Sequence, residues 1–340
     1  MRSRLRQRGA PVNEAVGVAL ATLNPIKGER PGLFRRQQAI ISPRIITLLC
    51  LIAVVGAVFG CLAPHFLTAP SLINICRQAT VTAIVALGAT FVIIAGEIDL
   101  SVGAVVALVS VVVAWIAGHG YPWPVMVLAA LATGLAIGLV NGFLSLKLHV
   151  PSFLATLGTL SIVKGIAMTI TLEPIPVRSI AFIKFFMNSP WRVPMPVIIA
   201  LVLFVVSVLL LNFSRFGIRT RAVGSNENAA RLAGLNTTKQ KYLVFLLGSL
   251  FAAVGGIVLA GRTNYGMAQA GGGLELEVIA AVVLGGARLG GGIGSALGTL
   301  LSALLLTMIF MGIATVGLPG PYQDVAKGAA IGLAVLLMRR

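Results

Sequence analysis

LSVGAVVALVSVVVAWIAGHGYPWPVMVLAALATGLAIGLVNGFLSL, residues Leu100–Leu146, contains no Asp, Glu, Lys or Arg. A hydrocarbon layer about 30 Å thick is crossed by roughly 20 apolar residues in a helix, so the run is long enough for two spans. His119-Gly-Tyr-Pro-Trp-Pro124 divides it, because prolines end helices and aromatic rings favour the membrane–water interface. The rest of the chain agrees. Of 340 residues, 58% are hydrophobic and 10% charged, with a mean hydropathy of +1.00. A water-soluble chain carries about a quarter charged residues to wet its surface. This composition excludes a soluble globular protein and predicts an all-α polytopic membrane protein.

Further apolar runs occur at Ile45–Ala63, Ala79–Gly96, Ser152–Leu172 (interrupted by Lys164), Pro194–Asn212, Tyr242–Gly261, Glu277–Ala287 (opened by Glu277), the glycine-rich Leu289–Val316 and Val325–Met338 (which contains Lys327). With the two in 100–146 they predict about ten transmembrane helices. Residues 1–44 read as a mobile basic tail, with a short surface helix over 12–23 as the alternative, and 45–338 as the transmembrane domain. The net charge of +17 would suggest nucleic acid in a soluble chain. Here the Lys and Arg lie mostly at the ends and in the 213–241 loop, with no basic–aromatic clusters on which bases could stack. Lys and Arg mark cytoplasmic loops, so both termini and the 213–241 loop are expected inside. The 173–193 loop, with Arg178, Lys184 and Arg192, then falls outside against that rule. Cys50, Cys61 and Cys76 have neither the number nor the spacing of a disulfide or zinc framework and read as packing residues.

Cutting after the fifth span leaves two halves of five, which an inverted 5+5 repeat would relate. Glu97-Ile-Asp99 after the second span and Glu275-Leu-Glu277 after the seventh are local echoes, and chance similarity in apolar sequence explains them as well. Charges near the bilayer are costly and point to function. Glu97, Asp99, Ser101, Glu275 and Glu277 are therefore candidates for a translocation path or gate. The plainer reading puts them at span ends, with Asp99 capping the third span. Lys164 and Arg288 are weaker candidates, and Asp324 with Lys327 reads as an i, i+3 pair on one helix. Gly134, Gly138 and Gly142, and Gly286, Gly290, Gly294 and Gly298, recur every fourth residue, which would give a ridge for close helix packing. For Gly290-Gly-Gly-Ile-Gly294 a hinge or non-helical segment is the competing reading, since consecutive glycines weaken a helix.

No Gly-Lys-Ser/Thr phosphate loop, HExxH or GxSxG occurs, so neither ATP hydrolysis nor a familiar enzyme site is indicated, and no cofactor or metal is implied. In the basic loop, Ser225, Asn226, Glu227, Ala229, Ala230, Arg231 and Gly234 belong to a helix of about two turns, with a capping start and a terminating glycine. So short a helix is unstable alone in water and must dock on something. Its own span ends or a soluble subunit would serve.

Three stretches now resemble one family. LGATFVIIAGEIDLSVG (Leu87–Gly103), RAVGSNENAARLAGL (Arg221–Leu235) and VLGGARLGGGIGSALG (Val283–Gly298) are similar, in the same order, to the signatures of ribose/xylose-type permeases of bacterial ABC importers. The similarity runs from about residue 45 to 338, and Glu97 stands where many members have glycine. The resemblance implies a multi-pass bacterial inner-membrane permease that pairs with a second copy or paralogue. It further implies a cytoplasmic ATP-binding subunit that binds the ATP, and a periplasmic binding protein that delivers a sugar or sugar-like solute. The 225–234 segment would be the coupling helix, its small residues allowing close docking and the Glu227–Arg231 pair fixing register. An ion-coupled carrier using Glu97 and Glu275, and a non-transporting scaffold, are the competing classes. Which solute is carried is not written in the sequence.

Overall fold

The computed structural model describes residues 43–317 and, beyond them, 321, 322, 325, 326, 328, 329 and 332. The basic tail, Asp324, Lys327, the terminal arginines and all but isolated positions of the expected last span lie outside the described residues. Within them the chain is helical: α1 (Pro43–Leu62), α2 (Ala69–Ile94), α3 (Val102–Gly118), α4 (Trp123–Leu146) and α5 (Ser152–Ile170) come first. A two-residue strand β1 (Ile175–Pro176), α6 (Ile180–Met187) and a 3₁₀ turn (Pro190–Arg192) precede α7 (Met195–Phe213). Then come α8 (Arg215–Ser225), α9 (Glu227–Leu232), α10 (Thr237–Thr263), β2 (Tyr265–Gly266), α11 (Leu274–Leu284) and α12 (Ala296–Thr315).

Seven of these are long and apolar enough to cross a membrane: α1, α2, α4, α5, α7, α10 and α12, while α3 is an apolar helix of fewer residues. About ten spans are therefore not confirmed among the described residues. Of the three that are missing, α3 has only 17 residues, the last expected span lies outside the described residues, and the third has a physical cause in the glycine-rich part. α11 has 11 residues, about 16 Å at 1.5 Å per residue, roughly half a bilayer. What read as one long run from Leu289 is a loop followed by α12. Conversely, α2 begins ten residues before the apolar run, because polar residues such as Arg77 and Gln78 continue the helix. Hydropathy marks where a helix is greasy, not where its hydrogen bonds begin.

Helices α2 and α10 form the centre, with 89% and 72% of their most apolar stretches buried, against 17% for α1 and 22% for α7 at the periphery. Val85, Val106 and Val109 meet the glycines of α10, and this contact continues into a core shared by α2, α3, α10, α11 and α12. On α4, Gly134 and Gly138 face Ser249 and the Phe245 carbonyl of α10, and Gly142 lies under Tyr242, so the side-chain-free stripe lets two backbones approach closely. The second glycine series is not a ridge. Gly286, Gly291 and Gly292 have φ of +96°, +83° and +80°, a left-handed conformation that no helix interior tolerates. Gly290 and Gly294 lie in that same loop, between Leu284 and Ala296, and Gly298 alone is helical, packed on the Gly285 carbonyl. The three cysteines are exposed on α1 and α2 rather than packed inside.

The chain after α10 is a broken span. β2 pairs antiparallel with β1, Ile175 opposite Gly266, and the following glycines descend along α3, where Gly266 meets Ser110 and Gly271 meets Gly103. α11 then starts beside Thr82, midway along α2, and the loop that follows it reaches the last turn of α2, where the Gly292 amide donates to the Ile94 carbonyl (2.8 Å). Irregular backbone at membrane depth is tolerated only where protein or a water-filled cavity covers it, and Gly266 and Gly271 are buried against α3. At the same end as β1, Phe182 and Phe186 of α6 bury an i, i+4 pair, and Phe186 covers Gly261 of α10. That helix falls in the stretch read from sequence as a loop.

Candidate functional site

The α8–α9 segment is built by caps. Ser214 accepts from the Gly217 amide (3.2 Å), Asn226 from the Ala229 amide (2.9 Å) and Asn236 from the Lys239 amide (2.8 Å), starting α8, α9 and α10. Each satisfies a backbone donor that the first helical turn leaves free. Gly234, at φ +81°, closes α9 as the Leu235 amide reaches back to the Ala230 carbonyl (3.0 Å). Ser225 is thus the last residue of α8, and Asn226 is the cap. Within α9 the two alanines part company: Ala229 is exposed, whereas Ala230 is 6% exposed and packs against its own chain. Ala230 therefore seats the helix and presents nothing to a partner. Within α9, sequence reading missed Leu232, 91% exposed. Its signal was available, as a leucine amid polar and alanine neighbours.

Glu227 pairs with Arg231 at 3.0 Å, one turn along α9. A second cation makes a longer-range connection. Lys241 Nζ of α10 lies 2.6 Å from Glu227 Oε2 and 2.7 Å from Glu97 Oε1, beside the end of α2. The side chains of Lys241 and Glu97 are 13% and 11% exposed, so this is a nearly buried bridge. Lys241 read from sequence only as one positive charge in a loop, since nothing in its neighbours announces two carboxylates brought from 14 and 144 residues away.

The Lys241 ammonium, hydrogen-bonded to Glu227, holds that carboxyl below the usual range, with Thr237 and Arg231 adding to the effect against partial burial. A depressed folded-state pKa adds stability that is complete above the ordinary glutamate value of about 4.3 and is lost as pH falls through the depressed one. Amide exchange in α9, corrected for intrinsic rate, is expected to stay flat from neutral pH down to about 4 and to rise only below it. A rise beginning near neutrality would contradict the pairing.

Directly beside this bridge the backbones touch. A Cβ at Gly224 would overlap the Ile94 carbonyl, and Gly291 and Gly292 lie against Gly224 and Ser225. Arg221 fastens the same loop by donating to the Gly294 carbonyl (3.2 Å) and to Asn212 Oδ1 (3.1 Å). The second and third motif stretches thus meet the first at the end of α2.

The turn from α2 to α3 is held by polar side chains. Asp99 Oδ1 accepts from the Ser101 amide (2.8 Å) and hydroxyl (2.6 Å), and Asn141 Nδ2 donates to Ser101 Oγ (2.8 Å). Ser152 Oγ and Thr156 Oγ1 accept from the Ile98 and Leu100 amides at 3.1 and 3.0 Å. Asp99 therefore shapes the turn into α3, bonding at the residue before the helix rather than inside its first turn. Asn141, Ser152 and Thr156 were not legible, being two helices away in sequence. The other carboxylates head α11: Glu277 Oε1 accepts from Thr82 Oγ1 (2.9 Å), and Glu275 lies against Gly103 of α3. Lys164 and Arg288 are exposed. Among the described residues no three His, Cys, Asp or Glu side chains are grouped to hold a metal ion.

The chain is thus a buried helical core with a capped helix anchored at one end. Its residues 71–335 match the family described as branched-chain amino acid transport system / permease component. The Escherichia coli K12 ribose import permease protein RbsC is 39% identical over 93% of this chain and 98% of the relative. The Bacillus subtilis ribose import permease is 36% identical over 82% of this chain and 88% of the relative. The Haemophilus influenzae xylose transport system permease protein XylH is 29% identical over 87% and 96%. No solved structure matches the chain. With more than half of its length in one family match and its first relative covered almost end to end, this chain belongs to that family of membrane transport permeases.

Proposed function

We propose that the chain is the membrane-spanning subunit of an importer that carries a monosaccharide or sugar-like solute inward, with ATP hydrolysed on a separate subunit. Similarity to ribose and xylose permeases supports the solute class. The observation that carries the mechanism is α9: a capped helix, clamped to the core by Glu227 and Ala230, with Leu232 standing free at its tip. An isolated leucine of that exposure stabilises a complex by about 1.5–3 kcal/mol when a partner covers it. The Lys and Arg of the 213–241 loop support a cytoplasmic position for α9 at the bacterial plasma membrane, where an ATP-binding subunit would seat it. A periplasmic binding protein would deliver the solute from the other side, and a second permease copy or paralogue would complete the conduit. Closure of the ATPase on nucleotide would move α9 and open the path outward, and hydrolysis would reset it. Glu97 is engaged with Lys241, which leaves it poorly placed to act as the coupling carboxylate of an ion-driven carrier.

Leu232→Asp tests this reading. In vesicles holding the permease, a co-expressed ATP-binding subunit and its binding protein, it is expected to abolish co-purification of the ATPase and bring uptake of radiolabelled D-ribose or D-xylose to background. Membrane insertion should be unchanged. Vesicles that accumulate either sugar with this chain and no ATPase would overturn the proposal.

A further inference from the structure

The strongest unused feature is the cation that links three elements. Lys241 stands four residues past the start of α10, the central helix. Its ammonium is shared between Glu227 of α9 and Glu97 of the turn that joins α2 to α3, at 2.6 and 2.7 Å. Both carboxylates reach it through different backbones, so neither can move away from Lys241 without leaving a nearly buried charge short of a partner. That penalty is larger than the loss of an exposed ion pair, because little water is present to replace the missing carboxylate.

The contacts next to it have no slack. The Gly224 backbone lies against the Ile94 carbonyl, the Gly292 amide donates to that same carbonyl at 2.8 Å, and Gly292 packs on Ser225. Side chains at an interface can change rotamer and absorb a small shift, whereas backbone on backbone transmits it. Beyond Glu97, the turn is fixed through Asp99, Ser101, Ser152 and Thr156 to α3 and α5. A displacement of α9 thus has a continuous route of paired or touching groups into two apolar helices, α3 and α5.

We propose that Lys241 is the positioning residue of the transport cycle, clasping α9 to the α2–α3 turn so that a movement imposed on α9 is passed to α3 and α5. This rests on the reading of α9 as the element the ATPase moves, and deepens it by naming the connection inward. Lys241 touches neither solute nor nucleotide. Its role is to make the turn follow the helix.

The test reads the turn itself and needs no knowledge of the solute. Hydrogen–deuterium exchange over residues 92–101 is followed in the permease–ATPase complex, without nucleotide and with ATP and vanadate. In the unaltered protein exchange in this segment is expected to change on adding nucleotide. In Lys241→Gln the change should vanish while the ATPase remains bound, and in Lys241→Arg, which keeps a cation within reach of both carboxylates, it should be retained. Glu227→Gln, on the more exposed side of the clasp, serves as a second variant should Lys241→Gln fail to insert, and is likewise expected to remove the response. A nucleotide response that survives in Lys241→Gln or Glu227→Gln with the ATPase bound would overturn the clasp, as would its loss in Lys241→Arg. Failure of the unaltered permease to bind any ATPase would instead strike the underlying reading of α9, so the two failures are distinguishable.

Discussion

Gly224→Val is expected to bring solute uptake to background, while Gly118→Val leaves it unchanged. At Gly224 the added atoms meet the Ile94 carbonyl and the Gly292 amide, which are backbone and cannot rotate away. Forcing extra carbons into packed structure costs about 1–3 kcal/mol, more where the neighbours are rigid. A cost of about 3 kcal/mol falling on the seated position of α8 would depopulate it roughly a hundredfold. The helix would stand off from the end of α2, and α9 with it. At Gly118, near the end of α3, a Cβ meets nothing within 4 Å, so the same change controls for the loss of a glycine as such. Radiolabelled sugar uptake, together with the amount of each variant in the membrane, checks this. Unaltered uptake in Gly224→Val would show that the contact is dispensable.

The second large effect is on stability. Glu97→Ala leaves Lys241, 13% exposed, with only the partly exposed Glu227 for company. Removing one partner from a buried pair typically costs about 3–5 kcal/mol, because the surviving charge stays desolvated. Lys241→Met is expected to cost a similar amount by stranding Glu97. Combining Glu97→Ala with Lys241→Met removes both charges, so the double variant should be clearly more stable than the sum of the two losses predicts. Thermal unfolding in detergent, measured for all four proteins, gives this coupling. Additive losses would mean that the bridge contributes nothing as a pair.

The two variants separate what α9 needs from what the core needs. The Gly224 contact is made by backbone and is insensitive to charge, while the Lys241 bridge is electrostatic and insensitive to small changes of volume. Uptake should therefore respond to both, and melting chiefly to the second.

Much of this was legible in one dimension. An uncharged run from Leu100 to Leu146 can only be satisfied by helices in lipid, since backbone donors and acceptors find no water there. The cap at Asn226, the terminating Gly234 and the Glu227–Arg231 pair are local, each decided within a few residues, and so the sequence carried α9 whole. The same holds for Gly134, Gly138 and Gly142, whose spacing by four is a property of one helix. Where a choice depended on another part of the chain, sequence was silent or misleading. Gly286–Gly298 shares the spacing of the α4 stripe, yet the loop around Gly291 and Gly292 is bent to meet Gly224 and Ile94. Ala229 and Ala230 are chemically alike, and only the packing of α9 on the core turns one outward and the other in. The sequence by itself determined that the chain spans a membrane as helices and carries a short capped helix between two of them, because hydropathy and capping are local. The tertiary structure alone decided that Lys241 joins Glu97 to Glu227 and that the span after α10 is broken, because a charge finds its partner, and a backbone its neighbour, only after distant segments have been packed side by side.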